Sequence, residues 1–323
     1  MKTFNLALLA TAAMAALAGS AQAQDDCLIG ISMKTLGAPY FAAQEQYARE
    51  YAEEIGCKTV SADAGDDLNK QVADVEDMVA QGVDALIINV RDSQGLVPAV
   101  NAAAAAGVKV IAIDSTIDPS ANIVTLVQSS NTQNGQLVGQ WLADQTKGED
   151  LKIALLSGDQ GNEVGQERRL GVLAGLIEGQ LRNGGKASFE IVGQGWGNWG
   201  NEGGLTAMED ILTANPDVNV VLGENDSMLL GARNALRAQG LENDVLLVAA
   251  ADGQREALEL IKEGEYGATG LNSPRVVATT AVDIAKQAID GSLDENTPKV
   301  TYTTPAAITQ DNVDQYYDEN SVF

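Results

Sequence analysis

The sequence predicts an α/β protein built from two similar, doubly wound parallel-sheet lobes, and three observations carry that reading. From Cys27 onward, short apolar runs alternate with longer amphipathic ones. The alternation breaks once, at IVTLVQS, which has no long helix before it, and then resumes. Strand after strand also ends, at its carboxyl edge, in a hydrogen-bonding side chain.

In order, CLIGISM opens the first half, followed by a helical segment from Pro39 to Ile55. CKTVSAD leads to a helix over Leu68 to Ala80, ALIINV to one over Leu96 to Ala106, and VKVIAID follows. Apolar strands of about five or six residues between helices mark a parallel sheet covered on both faces. The alanine run from Asn101 to Gly107 reads as a helix end stopped by glycine. Beyond Ser129, KIALLSG, SFEIVGQ, VNVVLGEND, LLVAAAD and YGATGLN alternate with helical patterns such as LVGQWLADQ and MEDILTA. The two halves meet near Ser129 without a low-complexity linker.

Ahead of the first strand, Lys2 and an alanine-rich apolar stretch through Leu17 lead to Ala21-Gln22-Ala23. This is the pattern of a secretory signal peptide cut after Ala23. Its apolar core is too short to span a bilayer, and Gln24-Asp25-Asp26 before Cys27 is not the setting of a lipid-modified cysteine. An exported, soluble protein is expected.

Lys and Arg total 20 against 45 Asp and Glu, a formal net charge of −25. Such a surface repels phosphate backbones, so no nucleic-acid partner is expected. Histidine is absent, which removes the commonest general base and the commonest nitrogen ligand for a metal; no catalytic residue, metal or cofactor is expected. Cys27 and Cys57 begin the first two strands. In an oxidising compartment they either bridge or remain two buried thiols.

The polar strand ends are Asp63, Asn89, Asp114, Ser129, Gln194, Asn225 or Asp226, Asp252 and Asn272. In open α/β sheets ligands sit beyond those ends, while Asn and Asp there also cap the next helix, so the set divides between the two roles.

The blocks IGISMKTLGAPYFAAQ, GVDALIINVRDS, VKVIAID, QERRLGVLAG, NPDVNVVLGENDSMLLGARNAL, VAAADG and GLNSP, in that order, give the chain its likeness. It resembles the type I periplasmic sugar-binding proteins of ABC transporters, which share a fold with the ligand domain of the lac-repressor family, most closely the ribose-binding type. The resemblance implies lobes of 24–129 plus 273–303 and 130–272 plus 304–323, joined by a three-strand hinge with crossings near Ser129, Ser273 and Thr304. It places Tyr40 and Phe41 against a sugar, with Asn89 and Asp114 as polar contacts from the first lobe. Asn225, Asp252 and Asn272 contribute from the second, where Trp199 forms the opposing wall and Trp196 is a further candidate.

Three positions depart from the ribose-binding type. Ala38 replaces an asparagine, while Ser115 and Gln166 stand where that type has arginines, so the cationic sugar contacts are read as absent. Gln166 and Ser115 remain candidates as neutral replacements, and Arg168 is read as a surface or inter-helix salt bridge. Asp and Asn pair with hydroxyls and flat rings cover C–H patches, so a neutral sugar or polyol is the expected ligand. A membrane permease is the expected partner of a monomeric binding protein. Rival readings are a sensory component feeding a chemoreceptor or kinase, and a periplasmic enzyme acting on a sugar. A transcriptional regulator is disfavoured, because the export signal occupies the place of a DNA-binding helix-turn-helix.

GQGWGNWGNEGG (193–204) contains GxGxxG after a strand and before a helix. Trp196 and Trp199 crowd the glycine that a pyrophosphate would approach, which argues against a dinucleotide cradle. The segment reads instead as a loop whose glycines permit an unusual backbone path and turn Trp199 into the crevice.

Overall fold

The computed structural model describes residues 27–323, and the expected signal peptide, 1–23, lies outside them. The chain runs β1 (Leu28–Met33), α1 (Pro39–Glu54), β2 (Lys58–Asp63), α2 (Leu68–Ala80), β3 (Ala85–Asn89), α3 (Val97–Ala105), β4 (Lys109–Ile113) and β5 (Thr125–Ser129). It continues with α4 (Asn131–Gln145), β6 (Lys152–Ser157), α5 (Glu163–Gly184), β7 (Glu190–Trp196), α6 (Asn201–Ala214), β8 (Val220–Gly223), α7 (Asp226–Gln239), β9 (Leu246–Asp252), α8 (Arg255–Glu263) and β10 (Ala268–Leu271). Helix α9 (Pro274–Asp290), β11 (Val300–Thr303), β12 (Ala307–Thr309) and a 3-10 turn at Val313–Gln315 follow.

Two six-stranded sheets result, ordered β11-β5-β4-β3-β1-β2 and β12-β10-β9-β8-β6-β7. Five strands of each share one winding order, and every strand pairing is parallel except β10 with β12. The order reverses beside β1 in the first sheet and β6 in the second, the places where open α/β sheets form a crevice.

Strand interiors explain the layering. Ile87, Ile111 and Val127 face one cluster with α1 and α9, while Leu86, Ile88 and Val110 face the other with α2 and α3. In the second sheet the same alternation sends Val221 and Leu247 towards α6–α8, and Val220 and Val248 towards α4 and α5. Helix starts follow local chemistry. Pro39 and Pro274 sit in the first turns of α1 and α9, and Asp67, Asn162 and Ser273 accept backbone N–H groups at their helix entries.

The chain changes sheets at three places. Ser129 ends β5 in the first sheet, and α4 packs on β9 and β10 of the second. After β10, α9 returns to β3, β4 and β5, and between Thr303 and Ala307 the chain passes from β11 to β12.

Two expectations need correction. SFEIVGQ is expected to end its strand at Gln194, but β7 continues through Trp196, which pairs with Ser157, so part of the glycine-rich segment is edge strand. Residues 304–323 are expected on the second lobe, yet Phe323 is buried in the first sheet's core beside α1. Only tertiary packing determines that seat.

The cysteine alternatives resolve to a disulfide. Strands β1 and β2 pair in register from Leu28↔Lys58 to Met33↔Asp63, which brings Cys27 and Cys57 side by side at a Cα separation of 4.6 Å. Opening this loop by Cys57→Ser should lower unfolding free energy by about 3 kcal/mol. Equilibrium denaturation of oxidised wild type against the variant checks this, and equal stabilities would contradict it.

Candidate functional site

The two sheets' carboxyl edges meet at a cluster centred on Asn272. Its Oδ1 accepts from the Tyr40 hydroxyl at 2.9 Å and from Ser129 Oγ at 2.7 Å, and its Nδ2 donates to Asp252 Oδ1 at 3.0 Å. Ser129 Oγ also lies 3.2 Å from Thr303 Oγ1, so all three crossings join the network. The site thus stands on the hinge itself.

Asp252 is buried, and the Arg168 guanidinium pairs with its Oδ1 at 3.0 Å. Arg168 further donates to Asn131 Oδ1 and to the Glu224 carbonyl, both at 3.0 Å. Burial raises the Asp252 carboxyl above its ordinary pKa, with Arg168 opposing. The reading of Arg168 as a surface or inter-helix salt bridge is therefore wrong: the side chain is buried and enters the site. Gln166, two residues earlier on α5, is exposed and lies about 200° around the helix from Arg168, so the structure does not bring it into this cluster.

On the first-lobe side, Asn89 is completely buried at the end of β3. Its Nδ2 donates to the Ile113 carbonyl at 3.1 Å and reaches Ser115 Oγ at 3.3 Å and Asp114 Oδ2 at 3.5 Å. No donor among the described residues reaches Asn89 Oδ1. Asp114 holds a left-handed backbone, φ 60°, which turns the chain sharply at the end of β4.

Lys34 is the residue that sequence reasoning missed. It follows β1 directly, donates to Ser115 Oγ at 2.9 Å, and lies 4.3 Å over the Phe41 ring. Burial lowers its pKa, with Asp114 as the main opposing influence. Where the cationic contacts are read as absent, the fold brings in two other cations, Lys34 beside Ser115 and Arg168 beside Asp252. Position could have found Lys34, since it is the first residue after the strand beside the first sheet's winding reversal.

Tyr40 and Phe41 meet edge to face, with centroids 5.6 Å apart. Burial, helped by the Asp114 and Asp252 charges, raises the Tyr40 phenol well above its ordinary range, so it serves as a hydroxyl donor.

Opposite them, Trp199 Nε1 donates to Asp159 Oδ2 at 3.1 Å, and the Arg168 guanidinium lies 5.7 Å from its ring. The loop's unusual backbone path falls on Asn198 and Trp199, φ 48° and 61°, and not on its glycines as expected. Gly204 instead lets α6 approach α7, since a Cβ there would meet the Met228 carbonyl oxygen at 2.1 Å. Trp196 is exposed and lines a groove of 970 Å³ between β7 and α6, outside the cluster. Gln194 is also exposed and donates to Ser157 Oγ.

Several strand-end groups serve the backbone. Asn225 caps α7 through Met228 N at 3.1 Å and donates to the Trp199 carbonyl at 3.1 Å, so both ends of its amide hold protein. Asp226 accepts from the N–H groups of residues 252–254 and from the Tyr266 hydroxyl. Asp63 accepts from Leu36 N and Gly65 N.

Two such sheets, joined by three crossings beside one buried polar cluster, make a two-lobed fold. The model of the periplasmic binding protein domain matches residues 29–293, and the chain belongs to that family. It is 34% identical over 257 residues to the ribose import binding protein RbsB of Bacillus subtilis (strain 168), covering 80% of each chain. It is 30% identical over 285 residues to the D-apiose import binding protein of Paraburkholderia graminis, covering 86% of each. Among solved structures, an ABC transporter periplasmic solute binding protein from Actinobacillus succinogenes 130z with bound D-allose matches with TM-score 0.78 and 29% identity, over 90% of this chain and 99% of that one. A Caulobacter myo-inositol binding protein matches with TM-score 0.77 and 28% identity, over 90% and 96%.

Gly158 underlies the tryptophan wall: a Cβ there would lie 2.1 Å from the Trp199 ring. Gly158→Ala should displace that ring and cost about 1–3 kcal/mol of stability. Near-ultraviolet circular dichroism and denaturation check this, and an unchanged tryptophan spectrum would contradict it.

Proposed function

We propose that the chain is an exported, monomeric binding protein that captures one neutral sugar or sugar alcohol and delivers it to the membrane permease of an ABC transporter. The lobes are 24–129 with 273–303 and 130–272 with 304–323, apart from the first-lobe seat of Phe323. Tyr40, Phe41 and Trp199 cover the apolar faces of the ligand. Asn89, Asp114, Asp252 and Asn272 meet its hydroxyls, aided by Lys34, Ser115 and Arg168.

The observation that carries this reading is Asn89 Oδ1, a completely buried acceptor with no donor among the described residues. Buried acceptors are almost always paired, and a hydroxyl is the donor that suits a site already furnished with aromatic faces. Charge supports a neutral ligand. Arg168 pairs with Asp252, and Lys34 lies in the field of Asp114, so neither sign is left in excess between these pairs. Relatives named for ribose and D-apiose, and similar structures holding D-allose and myo-inositol, fit the same chemistry.

Binding without turnover is the reading taken. Asp252, the most buried carboxylate contact, is held by Arg168 and Asn272 and is not a free base, and the chain has no histidine. Prolonged incubation with the tightest sugar should return it unchanged, and any product would revive the enzyme reading.

A thermal-shift panel of D-ribose, D-allose, D-apiose and myo-inositol should contain a stabilising ligand, and Asp252→Ala should lose that stabilisation while staying folded. Stabilisation by acidic sugars or amino acids alone would overturn the neutral-ligand reading.

Binding should also weaken as falling pH protonates Asp252, because a neutral carboxyl loses acceptor strength. Arg168→Met removes the cation that opposes the upward pKa shift, so its loss of binding should begin at a higher pH than in wild type. Calorimetric titrations across pH check this, and coincident profiles would contradict the role of the pair.

A further inference from the structure

The segment Asp318–Phe323 falls in the second lobe by sequence, yet its end is buried in the first, so it joins the lobes a fourth time. Before it, Val313, Tyr316 and Tyr317 pack into the second lobe's core. Glu319 and Asn320 are exposed, and Phe323, only 7% exposed, is then buried in the core of the first.

The seat is well defined on both sides. The Phe323 ring meets Tyr40 edge to face, with centroids 5.4 Å apart and planes at 86°. Ser321 Oγ lies 3.0 Å from the Tyr47 hydroxyl, which accepts from Val322 N at 3.2 Å. From the second lobe, Arg255 Nη1 donates to the Ser321 carbonyl at 2.7 Å. Arg275 lies over the Tyr47 ring at 4.7 Å and reaches the Asp318 carboxylate at 3.7 Å.

Tyr40 is consequently held edge-on by two rings, Phe41 and Phe323, with its hydroxyl aimed at Asn272. Two perpendicular ring contacts leave the phenol little freedom, and a wall already oriented costs less entropy when a ligand arrives. We propose that Phe323 is a positioning residue for ligand capture: the strap 318–323 seats it against Tyr40 and fixes that ring's orientation in the cleft. Anchors on α1 and α8 also place the strap across the moving lobes, so a slack strap speeds release of bound sugar. The proposal rests on the sugar-cleft reading above.

Phe323→Leu keeps most of the buried apolar volume and removes the ring edge. With D-ribose, D-allose, D-apiose or myo-inositol, whichever stabilises wild type most, the variant should bind about two- to tenfold more weakly, through faster dissociation. Its ligand-free thermal midpoint should stay near wild type, and Phe323→Ala should show the same loss of affinity or a larger one. In ligand-free protein labelled with 13C-tyrosine, the Tyr40 ring signal, assigned with Tyr40→Phe, should move in Phe323→Leu.

Unchanged affinity in Phe323→Leu, with Asp252→Ala still abolishing binding, would overturn the strap and leave the cleft intact. If no sugar binds wild type, the cleft reading fails and the Tyr40 signal decides: an unmoved signal overturns the strap, and a shifted one supports the seat.

Discussion

The side-chain amide of Asn272 is the point on which this structure turns. The chain passes between its sheets after Ser129, after Asn272 and after Thr303, and hydrogen bonds join those three residues directly. The same amide receives the Tyr40 hydroxyl and holds the Asp252 carboxylate. Hinge and site are therefore one network. Closure needs interactions that exist only when the lobes are together, and a ligand bridging Tyr40 and Asp252 would supply them beside the axis of rotation.

Burial makes this network demanding. Asp252 and Arg168 are both nearly dry, and a buried ion pair is tolerable only when its remaining hydrogen-bonding capacity is met. Arg168 meets it with Asn131 and the Glu224 carbonyl, and Asp252 with Asn272. Asn225 enters by another route, holding the Trp199 backbone while capping α7. Rigid supports of this kind hold a few polar groups ready, which is how a binding site discriminates among similar hydroxylated molecules.

What the sequence made legible follows from periodicity. Apolar runs of strand length located the paired elements, and their polar ends marked Asp63, Asn89, Asp114, Ser129, Gln194, Asn225 or Asp226, Asp252 and Asn272 without separating helix caps from the buried cluster. The rest needed three dimensions. Lys34 follows an ordinary strand, and only the folded chain shows its ammonium beside Ser115. Gln166 and Arg168 are two residues apart, and helical rotation rather than spacing decides which one is buried. The glycines of GQGWGNWGNEGG suggested backbone freedom, whereas the left-handed residues are Asn198 and Trp199, and Gly204 allows helices to approach. Cys27 and Cys57 became a disulfide once the register of β1 and β2 was fixed. Phe323 carries no local signal, because its seat is formed by residues nearly three hundred positions earlier.

The central claim is that one sugar or polyol sits at the hinge between Tyr40, Phe41 and Trp199. The most direct measurement is the crystal structure of the complex with the tightest-binding sugar. The account predicts one molecule between those rings, with a hydroxyl donated to Asn89 Oδ1 and another to the Asp252 carboxylate. A molecule held instead in the groove between β7 and α6, against Trp196, would contradict it.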